Sequence, residues 1–164
     1  DQTAADLVNH LSLEELEYIL FHYGEESWAK RIAKAIVQER GQEPIETTQT
    51  LRKIVHRTIP RRFHSRRIDT ATKTFQAFRI RVNDELENLR KILEGGWTLL
   101  KKGGRMCIIS FHSLEDRMVK ETFRRLEKEG EVCILTKKPV TPSEEERGRN
   151  PRSRSAKLRC AERI

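Results

Sequence analysis

Residues 105–123 read RMCIISFHSLEDRMVKETF, and no other stretch limits the fold of this chain so tightly. Met106, Cys107, Ile108 and Ile109 form a continuous apolar run after the turn residues Lys101, Lys102, Gly103 and Gly104. Such a run suits a strand buried on both faces, as in a parallel sheet flanked by helices. It ends abruptly. Ser110 and residues 112–116, with only Leu114 apolar, put hydroxyls, an imidazole and two carboxylates at the strand's carboxyl end. Ser113 and Asp116 have the spacing of a capping box, so a helix is expected to start there. Open α/β sheets take their ligands at that carboxyl edge. Capping accounts for Ser113 and Asp116 but leaves His112 and Glu115 unexplained, which makes this turn the candidate site.

The net charge of +8 over 164 residues points to an anionic partner, of which nucleic acid is the commonest. The length allows one medium domain or two small ones. Cys107, Cys133 and Cys160 are an odd set without a CxxC pair; the expectation is a reducing compartment, no disulfide and no metal site. The sequence shows no signal peptide and no apolar run near 18 residues. The chain is therefore expected to be soluble and cytoplasmic, with no membrane partner.

Residues 1–10 start without an initiator Met and read as the edge of something packed, in the middle of a larger or processed protein. Ser12 and Glu15 form a capping box for a helix carrying Leu13, Leu16, Ile19, Leu20 and Tyr23, stopped by Gly24. Trp28, Ile32, Ala35 and Ile36 mark a second helix. Leu51, Ile54 and Val55 mark a third, capped by Thr48 and ended by Pro60. Then comes RRFHSRR, residues 61–67. With Arg52, Lys53 and Arg57 it makes a stretch with no carboxylate between Glu46 and Asp69. It is read as a phosphate-tracking surface in preference to a solvated loop. Residues 72–93 have the periodicity of one long helix, and Gly95-Gly96 predict a break or close packing. Residues 114–128 read as a helix, 132–136 as a short strand, 143–155 as an Arg-rich polar loop, and 156–164 as a final strand. There is no P-loop, HExxH or GxGxxG.

Four stretches carry a specific resemblance: GRMCIISFHSLEDRMVK, TATKTFQAFRIRVNDEL, YGEESWAKRIAKAIV and TPSEEERGRNPRSRSAKLRCAERI. In this order, they resemble the MraW/RsmH family of bacterial 16S ribosomal RNA cytosine-N4 methyltransferases. The resemblance implies an α/β fold: part of a Rossmann-like class I methyltransferase sheet, with an all-helical domain inserted in it. Residues 1–10 and 70–164 would belong to the methyltransferase domain and residues 11–69 to the insertion, which would help hold RNA. The implied cofactor is S-adenosylmethionine and the implied partner is 16S rRNA or the small ribosomal subunit. The family's glycine loop and its acidic ribose-binding residue have no counterpart here, so the cofactor-binding residues are expected upstream of Asp1. Asp69-Thr70 also departs from a His-Pro found in many members.

The reaction so implied transfers a methyl group to an exocyclic amine whose lone pair is delocalised into the ring. Such a reaction needs alignment and help with a proton, on a base taken out of its stack. On this reading His112, Glu115 and Asp116 are the catalytic candidates, oriented by Ser110 and Ser113. Arg117 and Lys120 would meet phosphate, as would Arg61, Arg62, Arg66 and Arg67. Arg152, Arg154, Lys157 and Arg159 would form a second cationic edge if the final strand lies beside the apolar one. An alternative is a non-catalytic RNA-binding piece that keeps the basic surfaces without the cofactor. A hydrolase using His112 with Ser110 or Ser113 is a weaker alternative, because no G-x-S-x-G elbow is present. The open edge of the apolar strand is expected to invite self-association.

Overall fold

Five helix starts among the described residues follow directly from side-chain caps. In the computed structural model, which describes residues 2–65 and 68–164, Thr3 and Asp6 form a capping box at α1 (Ala4–His10). Ser12 and Glu15 form another at α2 (Leu13–His22), as its sequence spacing predicts. α3 (Ala29–Arg40) and α4 (Thr48–Thr58) follow, the latter capped by Thr47 rather than Thr48. The expected long helix is two: α5 (Thr72–Val82) and α6 (Glu85–Gly95). The break falls at Asp84, whose φ of 48° is left-handed. Asp tolerates that region better than most residues, and no α-helix can run through it.

The chain divides into two compact units, residues 1–85 and 86–164. The first is all helical. Leu7 and Val8 of α1 and Ala77 and Phe78 of α5 share one core with Leu16, Leu20, Ile32, Ile36, Leu51 and Ile54. Residues 11–69, which the resemblance assigns to an insertion, share this unit with α1 and α5. Asp69 closes its loop onto α4: it accepts hydrogen bonds from Arg52 Nε at 2.7 Å and from the Ala71 amide at 2.8 Å, and lies 2.9 Å from His56 Nε2. His56 foremost, then Ala71 and Arg52, hold its carboxyl well below the usual carboxylate range.

The second unit holds the sheet. β1 (Arg105–Ser110), β2 (Val132–Ile134) and β3 (Lys157–Arg163) lie in the order β1-β3-β2. β3 is antiparallel to both neighbours, with Cys107 opposite Cys160 and Ser110 opposite Lys157. α7 (Ser113–Lys128) covers one face through Val119, Phe123 and Leu126, which pack with Leu93, Val132 and Ala161. β1 is not buried on both faces as the apolar run suggested. Met106 and Ile108 turn inward, but Cys107 is exposed and Ile109 is 57% exposed. The apolar outward positions belong to a two-sided strand, and only one side is covered by the described residues. β1 also forms one border of the sheet. Cys107, Cys133 and Cys160 are all free thiols. Burial, with Cys107 alongside, pushes the Cys160 thiol up to about 11.

Gly96 is a close approach: a Cβ there would come within 3.0 Å of Met106 Cε. The polar segment 143–155 is not plain loop. Ser143 accepts from the Glu146 amide and starts α8 (Glu144–Arg149), and a 3-10 turn (Pro151–Ser155) follows.

Candidate functional site

The carboxyl end of β1, the first turn of α7 and the start of β3 meet within the second unit. Ser110, almost fully buried, donates from Oγ to the Lys157 carbonyl at 3.3 Å. The helix cap is one residue earlier than expected from sequence. His112 is the N-cap of α7: its Nδ1 accepts from the Glu115 amide at 3.3 Å. Glu115 Oε2 in turn accepts from the Phe111 amide at 2.8 Å and the His112 amide at 3.2 Å. The two residues that capping did not seem to explain are thus the capping pair, and Ser113 and Asp116 are not. Ser, Thr, Asp and Asn dominate N-caps, so the His112-x-x-Glu115 spacing was the readable signal that went unused. Accepting at Nδ1 places the neutral ring's proton on Nε2, which lies 3.5 Å from Glu115 Oε1.

Released from the cap, Asp116 faces β3. Arg159 Nε donates to its Oδ1 at 2.7 Å, with a second guanidinium nitrogen 3.4 Å from Oδ2. Lys157 Nζ lies 3.2 Å from Oδ2. The Asp116 and Arg159 side chains are only 13% and 9% exposed, so this is a largely buried ion pair. Burial pushes the Asp116 carboxyl up. The hydrogen bonds from Arg159 and Lys157 outweigh it and leave the group below its ordinary value. Asp116 is therefore an ionised partner for two cations near neutral pH.

The other candidates are spread more widely. Ser113 and Arg117 are exposed on the first turns of α7. Lys120 lines a cleft of about 310 Å³ with Arg124, Lys137, Arg159, Phe123 and Thr136. Arg124 and Lys137 were not anticipated; Arg124 was findable, standing four residues from Lys120 on one helix face. Arg152 and Arg154 are exposed on the 3-10 turn, on either side of buried Ser153. Arg61 and Arg62 are exposed on a 3-10 turn (Arg61–Phe63) of the helical unit. Arg66 and Arg67 lie outside the described residues. Among the described residues no helix is long and apolar enough to cross a membrane.

The sequence profile of the MraW methylase family matches residues 1–164. The chain belongs to that family. Relatives within it are each named ribosomal RNA small subunit methyltransferase H. The protein from Persephonella marina is 52% identical over 99% of this chain and 56% of its own length. The one from Trichlorobacter lovleyi is 50% identical over 99% of this chain and 56% of its own. That from Syntrophobacter fumaroxidans is 48% identical over 98% of this chain and 55% of its own. This member of the MraW methylase family thus spans little more than half the length of the curated relatives it matches.

Proposed function

We propose that this chain supplies the substrate-side part of an enzyme that methylates N4 of a cytosine in 16S rRNA, using S-adenosylmethionine. The observation that carries the reading is the polar cluster at the carboxyl end of β1 in a chain of the MraW methylase family. The strand order supports it as well. A last strand set antiparallel between two others would suit the end of a Rossmann-like methyltransferase sheet. The remaining strands would pair with the free border of β1. The helical unit would be the inserted domain, with residues 11–69 as its body and α1 and α5 as the segments leading in and out.

The two carboxylates of the cluster are not available to hold the cofactor. Glu115 is committed to two backbone amides and Asp116 to two cations. The cofactor, which brings an electrophilic methyl group, would be held by residues outside this chain. The chain's own part is to orient the substrate. His112 and Glu115 fix the start of α7, and Asp116 ties it to β3, so that Ser113 faces the base and Arg117 and Lys120 face phosphate. His112, Glu115 and Asp116 then act as positioning residues. Arg61, Arg62, Arg66, Arg67, Arg152 and Arg154 would hold flanking RNA. The site of action would be the cytoplasm.

The test is methyl transfer from labelled S-adenosylmethionine to undermethylated small ribosomal subunits. It compares this chain alone with this chain joined to the part of the Persephonella marina relative that it does not cover. Incorporation at cytosine N4 by the joined protein only is the expected result. A folded joined protein that transfers no methyl group overturns the reading.

A second reading, an RNA-binding piece without catalysis, is favoured by the commitment of both carboxylates. It predicts that this chain by itself binds RNA with a steep salt dependence and has no affinity for S-adenosylmethionine. The free border of β1 would also let two copies pair, which sedimentation of this chain at rising concentration detects.

A further inference from the structure

The helical unit carries an aromatic corner that nothing above uses. Trp28 and Phe63 meet with ring centroids 5.3 Å apart and planes tilted by 54°. Trp28 rests its inner side on the helical core. Phe63, on its 3-10 turn, is 53% exposed. That turn is pinned: Ile59 is buried, and His64 Nε2 lies 2.8 Å from the Ile59 carbonyl. Packing accounts for Trp28, but it leaves about half of Phe63 in solvent.

The surroundings are cationic. Arg31 Cζ lies 4.9 Å from the centroid of Trp28, and Arg62 Cζ lies 4.9 Å from that of Phe63. Ser27, Lys30 and Lys34 complete an open hollow of about 610 Å³ with no carboxylate in its lining. Two other arginines of the same region are already engaged, Arg52 with Asp69 and Arg57 with Glu39. Among the described residues, no carboxylate pairs with the cations around the rings.

We propose that the Trp28–Phe63 corner is a stacking subsite for one unpaired base of a single-stranded RNA, with Lys30, Arg31, Lys34 and Arg62 on the flanking phosphates. Flat rings beside guanidinium groups take bases of any identity, because every base offers a π face. The two rings touch each other, so a base does not slide between them. It takes the place of Arg62 over Phe63, and the displaced guanidinium turns to phosphate. Stacking outweighs the exposed cation–π contact it replaces. The proposal rests on the reading that RNA is the partner.

The test is anisotropy of a labelled eight-nucleotide single-stranded RNA titrated with the 164-residue chain, beside an abasic strand of equal charge. The expected result is about tenfold tighter binding of the intact strand. Phe63→Ala should remove that preference with an unchanged melting curve. Lys34→Ala should weaken both strands equally and lower the salt slope by about 0.7. Equal affinity for the two strands overturns the subsite. So does a preference that survives Phe63→Ala, or competition by an octaglutamate peptide as effective as the RNA itself. The last result would mark an acidic-protein surface. Methylation of small subunits by the joined protein separates the two readings. A base preference with no methyl transfer leaves the subsite standing and removes the enzyme. Methyl transfer with no base preference does the reverse.

Discussion

The helical unit and the sheet unit solve burial in opposite ways. In the first, seventeen buried apolar residues among those described, from α1 to α5, form one core. Helices satisfy their own backbone groups, so the unit is complete once their apolar stripes meet. In the second, the buried cluster is six residues. One face of β1 and one border of the sheet have no cover among the described residues. A sheet that leaves pairing groups and apolar side chains outside borrows its stability from what would cover them. The helical unit should therefore stand alone, and the sheet unit should be the weaker partner.

The largest effect should come from the sheet core. Phe123→Ala removes its largest buried side chain, at a cost of about 3–5 kcal/mol, and should unfold the sheet unit at room temperature. Calorimetry should then show a single remaining transition. Phe78→Ala in the helical unit costs a similar amount and should only lower the melting temperature of that unit. If both variants melt like the parent protein, the contrast is lost.

Next in size is the ion pair across α7 and β3. Asp116→Asn leaves the buried Arg159 guanidinium without its charge partner, at a cost on the order of 3 kcal/mol. The pH dependence has a definite sign. A carboxyl lowered on folding adds stability above its ordinary value of 3.8 and loses it as pH falls through the lower folded value. The sheet unit should weaken in acid below about pH 4, and Asp116→Asn should lack that part of the decline. Asp69 gives the helical unit a dependence of the same sign. Its side chain is 36% exposed, so solvent screening makes the loss smaller. Equal acid sensitivity in the two units would remove the distinction.

The smallest effect is at the helix starts. His112→Ala should cost about 1 kcal/mol, as the loss of a cap does. Ser12→Ala should cost less, because that cap stands in solvent. Denaturant midpoints measure both. A far larger loss at His112 would show that the turn carries more than the start of α7.

Much of the helical unit was legible because its signals are local. Ser12 and Glu15, the apolar spacing of α2 to α4, and Pro60 each act within a turn or two of helix. What was missed depended on geometry that periodicity does not record. The apolar stripe runs unbroken past Asp84, and only a left-handed φ there divides α5 from α6. The site was half legible. The sequence brought Ser110, His112, Glu115 and Asp116 together, but it assigned the cap to the wrong pair. That error hid the partner of Asp116, which is 43 residues away on β3. Long-range ion pairs leave no periodic trace.

The strand order also sets a timetable. Among the described residues, β3 sits in the middle of the sheet, yet it is the last of the three strands in chain order. Ser110 precedes its partner Lys157 by 47 residues. On a translating ribosome that interval is roughly 2–10 s. During it the apolar edge of β1 waits without its central partner, while α1 to α5 are already synthesised and able to pack. The protein therefore passes through a nascent state that is half finished, in which the strand leading into the candidate site is the part most open to chaperones and to mispairing.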